Sequence, residues 1–505
     1  MNRTEKRQEL REKQRDLITK KLEAQGFVTS KIVYGEKRNI SNRKSIYATA
    51  EEEKADKQES AEAALKVHRK MLPVLLKRLS KIKDPRQPKK TKHSLTVLMV
   101  YGILMFVYNM SSLRNCNKEM STAIFFQNMN AMFPEFETMP HADTLSRLLE
   151  RIEVCQIEES LLELFEDLIK RKKFKNYLIN KSYVIAIDGT QKFVRTDKWT
   201  KECLERHVGK DKQSQYYVYV LEAVVILDNG ITLPLMSEFL NNEEYKDVIS
   251  NKQDSERKSF YRFAKRIKQR FPKLKITLTM DGLFTCGPVL KTCRDNGWDF
   301  MIVFKEGCIP QSFAEAMGLI KLTPENVIKR ICGDRSQVYT WVNGIEYTYG
   351  INDRNKEMLH VVVCEETWEE INKTTKKSVT NSTRYVWVSG KQLTKSNVET
   401  RCIKIGRYRW KIENNFFVLK HQGYEYEHCF SYNWNAMVGF HYLMNIGRFI
   451  NVLLVHSELL AKKATELGIK GLLTFIFKAC AGDVLNLDRI SAIVIKENYQ
   501  WRLVI

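Results

Sequence analysis

Three acidic residues stand where a carboxylate could do chemistry. Asp188 ends the apolar run YVIAIDGT and Asp281 ends KITLTMDG, and each is followed at once by glycine. Both runs have the apolar patterning of strands, which places their carboxylates at a sheet edge, where open α/β sheets bind ligands. Two such acids on adjacent strands can share a divalent ion. Mg²⁺ prefers hard oxygen ligands and keeps water and substrate phosphate in its other positions. A single Asp-Gly after a strand is equally an ordinary turn. Glu413 adds a different geometry. In RYRWKIENNFFVLKHQGY, Arg407 to Tyr424, the residues Arg409, Glu413 and Lys420 are spaced by four and then seven. At about 100° per residue these positions share one stripe of a helix. A carboxylate framed by two cations could hold a metal while the cations grip phosphates. The same spacing also describes a surface ion pair worth only ~0.3–0.5 kcal/mol. Trp410, Ile412 and Leu419 are expected to pack on the opposite flank. Phe416 and Trp410 could stack on a displaced base, though core packing accounts for both as well.

The elements that must position these acids follow from periodicity. After the Asp188 strand come two β-rich runs in QYYVYVLEAVVILDNGITLPLMSEFL, joined at Asp228-Asn229-Gly230 by a hairpin-type turn. DSERKSFYRFAKRIKQRF has helical spacing, and within KQDSE (252–256) Asp254 suits an N-cap and Glu256 a first helical turn. Glu256 is a minor candidate for assisting the site. The Asp281 strand, a short helix near Pro288 to Asp295 and the strand in WDFMIVFKEG complete the pattern. Hairpin-linked strands followed by crossover helices imply an α/β fold with a mixed sheet. Residues 306–400 carry β-rich runs such as QVYTWVNGIEYTYGI and read as an insertion, after which helical spacing resumes. Upstream, residues 94–180 read as a helical domain that could recognise DNA ends or serve as scaffold, with Asp143 or Thr144 as the N-cap of one helix. Residues 1–93 are charged, with a helix expected over Ala61 to Leu79, where Pro73 should start or kink it, and a basic linker from Asp84 to Ser94. The expected boundaries are thus 1–93, 94–180, a core in 181–305 and 401–450 split by the 306–400 insertion, and a helical tail in 451–505.

Bulk properties narrow the partners. The chain has 505 residues with 83 Lys+Arg against 60 Asp+Glu, a formal net charge of +23. A balance this basic suits a polyanion, because each lysine or arginine near a phosphate releases counterions. The eleven cysteines are irregularly spaced without a C-x-x-C, so they read as small hydrophobes in a reducing compartment. Cys203 and His207 lack the second pair that a zinc site needs. The apolar stretch Leu95 to Tyr108 is shorter than the ~20 residues of a membrane span, and FHYLMNIGRFINVLLVH is interrupted by Asn445, Arg448 and Asn451. No membrane association is expected.

Taken together, IDGTQ (187–191), KQDSE, TMDG (279–282), the strand-end Lys305 and RWKIEN-x5-K (409–420) resemble the DDE transposases of bacterial insertion sequences. The resemblance covers roughly residues 94 to 450 and is to the branch with a β-rich insertion before the glutamate. Those enzymes carry Y-x2-R-x3-E-x6-K; Arg409, Glu413 and Lys420 fit it, while Gly406 stands at the tyrosine position. The resemblance implies an RNase H-like core and a catalytic, metal-binding set of Asp188, Asp281 and Glu413 holding two ions, Mg²⁺ or Mn²⁺, with Asp188 bridging. It further implies DNA contacts by Arg409, Lys420 and Lys305, cleavage at terminal inverted repeats, and attack of the freed 3′-OH on target DNA. A homodimer on paired double-stranded DNA ends and a cytoplasmic, nucleoid-associated location are the corresponding expectations. The alternatives are a nuclease of the same fold without strand transfer, and a domesticated DNA-binding protein, which would be expected to have lost an acid.

Overall fold

A computed structural model describes residues 3–32, 47–245, 252–371, 378–496 and 499–504. Parts of the expected N-terminal segment (33–46) and of the expected insertion (372–377) lie outside the described residues. The described strands are β1 (Val28–Thr29), β2 (Tyr183–Arg195), β3 (Leu204–Val208), β4 (Gln213–Ile226), β5 (Thr232–Phe239), β6 (Ile276–Met280), β7 (Asp299–Val303), β8 (Val327–Cys332), β9 (Arg335–Tyr349), β10 (Asn355–Ile371) and β11 (Ser378–Ser389). The chain forms two compact units, and the break falls inside β2, between Ile187 and Asp188.

The first unit is built from Met1–Glu36, Ile179–Ile187 and Ala264–Trp410. Its strand order is β1-β8-β9-β10-β11-β7-β6-β2. β2 and β6 pair in parallel from Tyr183↔Ile276 to Ile187↔Met280, and β6 pairs in parallel with β7. All five residues of β6 are buried, as expected of a parallel strand covered on both faces. After Lys305 a helix, Pro310–Leu322, precedes β8. Pro310 opens its first turn, where a missing N–H costs nothing. β9, β10 and β11 then form long antiparallel ladders, and β11 joins β7 through Trp387↔Val303.

The second unit comprises Lys37–Leu178, Asp188–Phe263 and Lys411–Ile505. β4 lies beside β2 and pairs antiparallel with both β3 and β5. Gly230, at φ +80, supplies the left-handed turn residue between β4 and β5. Helices pack around the buried helix Trp434–Val455, which among the described residues is the one long and apolar enough to cross a membrane; the tested window is 100% buried. Its polar interruptions are bonded inside the fold. Asn451 donates to the Val107 carbonyl at 3.1 Å and the Tyr424 hydroxyl at 2.9 Å, and Asn445 to Ser237 Oγ at 3.0 Å.

Two local expectations change. Pro73 lies inside the helix Ala50–Leu79 rather than at its start, with buried Leu72, Leu75 and Leu79 around it. The N-cap at residues 141–144 is His141, whose Nδ1 accepts from the Asp143 amide at 3.3 Å, so an imidazole does the work expected of Asp143 or Thr144. A hairpin pair, a crossover helix, a strand parallel to β2, a second helix and a further parallel strand make the mixed α/β, RNase H-like fold.

Candidate active site

Asp281 follows the last residue of β6, but Asp188 lies inside β2, which runs on to Arg195, so the strand expected to stop at Asp188 continues through it. What ends there is the β2–β6 register, at Ile187↔Met280, one residue before each acid. The glycines after them have distinct reasons, and neither has a positive φ. A Cβ on Gly282 would lie 3.2 Å from both Lys305 Cδ and Cys308 Sγ. One on Gly189 would meet Tyr219 Cε1 at 2.4 Å and Glu256 Oε2 at 2.7 Å. Close approach of side chains, rather than a left-handed turn, calls for glycine at 189, while at 282 a Cβ would need its neighbours to give by only a few tenths of an ångström.

The Gly189 amide donates to Asp188 Oδ1 at 3.0 Å. Asp281 caps the single turn Gly282–Phe284, with Oδ1 accepting from the Leu283 amide at 2.6 Å. Its Oδ2 faces the Lys305 ammonium at 3.6 Å. That lysine is 64% exposed, so it is within reach of an external anion as well as of Asp281. Carboxylate oxygens are the donors that Mg²⁺ selects, and Asp281 already faces one cation, so the donor chemistry fits a divalent ion. Among the described residues, no group of three or more His, Cys, Asp and Glu side chains is placed to hold a metal.

The chain reaches Glu413 through a change of helix type. An α turn at Val398–Arg401 passes into a π turn at Cys402–Gly406, a 3₁₀ turn at Arg407–Arg409, and then the α-helix Trp410–His421. Changes of this kind often mark functional segments. The uniform stripe therefore holds from Glu413 to Lys420 but not back to Arg409, which precedes the α-helix. Arg409 is buried, and its guanidinium lies 4.5 Å from the Trp410 ring centroid. Lys420 pairs with Glu427 at 2.9 Å. Ile412, Leu419 and Phe416 are buried as core residues, whereas Trp410 is 50% exposed: within the same α-helix it stands on the stripe of exposed Phe417 and opposite Leu419, not on the apolar flank where it was expected. Gly406 has a steric cause too: a Cβ there would lie 2.8 Å from Trp387 Cε2, so a tyrosine has no room.

Two features escaped the sequence. In KQDSE, Asp254 does not cap the helix Glu256–Arg270 but receives Arg262 through two hydrogen bonds, 3.1 and 2.7 Å. A basic residue eight positions later was the available signal. Lys192 lies four residues beyond Asp188 on β2, and period-two alternation puts both on one face. It is buried and donates to the Tyr426 carbonyl at 2.9 Å. Burial pushes its pKa down to about 8, against the pull of Glu222. Glu222 in turn accepts from Ser237 Oγ at 2.7 Å and the Tyr426 hydroxyl at 3.0 Å, beside His441. Burial works to raise the Glu222 pKa, but its bonds to His441, Ser237 and Tyr426 outweigh that, holding it low.

Two family models match the chain: DDE_Tnp_1-associated over residues 76–165, and Transposase DDE domain over residues 179–449. A comparison with curated proteins found no match. The second model spans Asp188, Asp281, the strands between them and the Glu413 helix, more than half of the chain. By that match, on a fold of the same RNase H-like kind, the chain belongs to the transposase DDE domain family.

Proposed function

We propose that this transposase cuts DNA at the terminal inverted repeats of its element and joins the freed 3′-OH to target DNA. Asp188, Asp281 and Glu413 would be the residues that hold the divalent ions, Mg²⁺ or Mn²⁺, which this chemistry uses. The observation that supports this is that Asp188 and Asp281 each directly follow the last register pair of β2 with β6, Ile187↔Met280, inside the matched domain. Bound ions of this type activate an attacking oxygen and stabilise the leaving one. The chain's own residues do the rest. The Gly189 amide orients the Asp188 carboxylate. Lys305 faces Asp281 and, being exposed, would also reach a substrate phosphate. Lys420 exchanges Glu427 for a phosphate, and Arg409, held from behind by packing, contacts the backbone near the cut. Water attacks first and the 3′-OH second, so no covalent protein–DNA intermediate forms. Joining two ends at one target calls for a homodimer on paired ends. Incubation with Mg²⁺ and DNA carrying the repeats that flank the gene should give end-specific nicks and joined products. Cleavage without joining would reduce the activity to that of a nuclease.

A further inference from the structure

We propose that Glu256 is a positioning residue for the metal-binding carboxylate Asp188, acting through Gly189 and Tyr219. This rests on the assignment of Asp188 to the metal-binding set. The Glu256 carboxylate lies against the α-carbon of Gly189, so close that any Cβ there would fall 2.7 Å from Oε2 and 2.8 Å from Cδ. The Tyr219 ring closes the same space, and its hydroxyl hydrogen-bonds to Glu256. The amide of that same glycine donates to Asp188 Oδ1 at 3.0 Å. Pressure on Gly189 from one side of β2 is therefore transmitted to the carboxylate on the other through a single peptide.

The anchoring of Glu256 exceeds what a helix start requires. Gln253 grips β3 with its side-chain amide, accepting from the Glu205 N–H and donating to the Glu205 carbonyl, both at 2.7 Å. The Asp254 side chain is fully buried; it accepts from the Asn241 amide at 3.1 Å and from both terminal nitrogens of Arg262. Arg262 is itself held by Glu238 at 2.7 Å and lies 3.7 Å from the Tyr245 ring centroid. Glu256 is thus the first residue of a helix whose start is fixed from three directions. A carboxylate held this firmly beside a metal ligand orients that ligand and adds negative charge for the cation. Such outer partners are typically worth about 10–100-fold in metal affinity or activity.

The test is Mn²⁺ binding to the full-length protein without DNA, followed by electron paramagnetic resonance of the free ion, alongside the Mg²⁺ dependence of end cleavage. Glu256→Gln keeps the shape and removes the charge; Tyr219→Phe keeps the ring and removes the hydrogen bond. Glu256→Gln should weaken Mn²⁺ binding by about 10–100-fold at unchanged melting temperature, and move half-maximal cleavage to higher Mg²⁺. Tyr219→Phe should give a smaller shift in the same direction. If Asp188→Asn abolishes Mn²⁺ binding while folded Glu256→Gln and Tyr219→Phe bind within twofold of wild type, the role of Glu256 is overturned and the assignment of Asp188 stands. If Asp188→Asn also binds normally, both are overturned.

Discussion

Gly406 stands where the resemblance leads one to expect a tyrosine, and the structure gives a quantitative reason for glycine there. Its backbone is helical, φ −58 and ψ −51, so an L residue is conformationally acceptable, and alanine alone would favour a helix over glycine by ~1 kcal/mol. Sterics oppose that gain. A Cβ would sit 2.8 Å from Trp387 Cε2 and 2.9 Å from Nε1, where carbon contacts are ordinarily about 3.5–4.0 Å. Trp387 cannot retreat: it is 2% exposed, stacked on Tyr385 at 5.6 Å, and its strand is paired to β7 and β10 on either side. Overpacking costs about 1–3 kcal/mol, and a contact this short against a ring that cannot retreat belongs to the upper part of that range, about 2–3 kcal/mol. Gly406→Ala is therefore expected to destabilise the protein by about 1–2 kcal/mol after the helix gain. In a Trp387→Phe background, where the indole is gone, the same change should become neutral or stabilising, giving a coupling of at least about 1 kcal/mol. Urea unfolding of the four proteins measures this. A Gly406→Ala protein as stable as wild type, or an equal cost in both backgrounds, refutes the steric explanation.

Other perturbations follow from the same structure. Gly189→Ala places a methyl group against Tyr219 and Glu256; end cleavage should fall at least about 10-fold while circular dichroism is unchanged, and wild-type cleavage would contradict the close packing at that point of β2. Arg262→Gln leaves the buried Asp254 carboxylate without its guanidinium and should cost about 3–5 kcal/mol in urea unfolding; a loss under about 1 kcal/mol would mean the pair is dispensable. His68 is buried, neither ring nitrogen has a hydrogen-bond partner among the described residues, and burial pushes its pKa down to about 4. The unfolded chain takes up that proton near pH 6.5 and the folded one resists it, so stability is full above that pH and is lost as pH falls toward about 4, by about 3 kcal/mol. His68→Leu should flatten the drop in melting temperature between about pH 7 and pH 4.5, and parallel drops in the two proteins would exclude His68 as its source.

What could be read from the chain alone depended on how local the cause was. The Asp188 and Asp281 strands were legible because burial on both faces writes an apolar run, and the acid interrupts it. The helix Trp434–Val455 was legible as a core element because Asn445, Arg448 and Asn451 would be untenable in lipid yet find partners inside a protein. Causes that act across long sequence separations left no such trace. Trp387 excludes a side chain at Gly406 from a neighbouring strand, and Glu256 does the same at Gly189, so Gly189 looks like a turn residue and Gly406 like a departure from the tyrosine signature until their neighbours are placed. Arg409 fitted the stripe on the assumption of one uniform helix, and the passage from π to 3₁₀ to α geometry broke that assumption. Asp254 read as a cap because Asp-Ser-Glu before a helical run has that local meaning, but Arg262, two turns on, competes for the carboxylate and takes it.

The central claim, that Asp188, Asp281 and Glu413 together run DNA cleavage and joining, is tested most directly by Glu413→Gln. This variant keeps the size of the side chain and removes its charge. Assayed with Mg²⁺ on DNA bearing the flanking inverted repeats, it should lose both end cleavage and 3′-OH joining, fold as the wild type does, and still bind the repeats. If the folded variant cleaves and joins at the wild-type rate, Glu413 is not the third carboxylate.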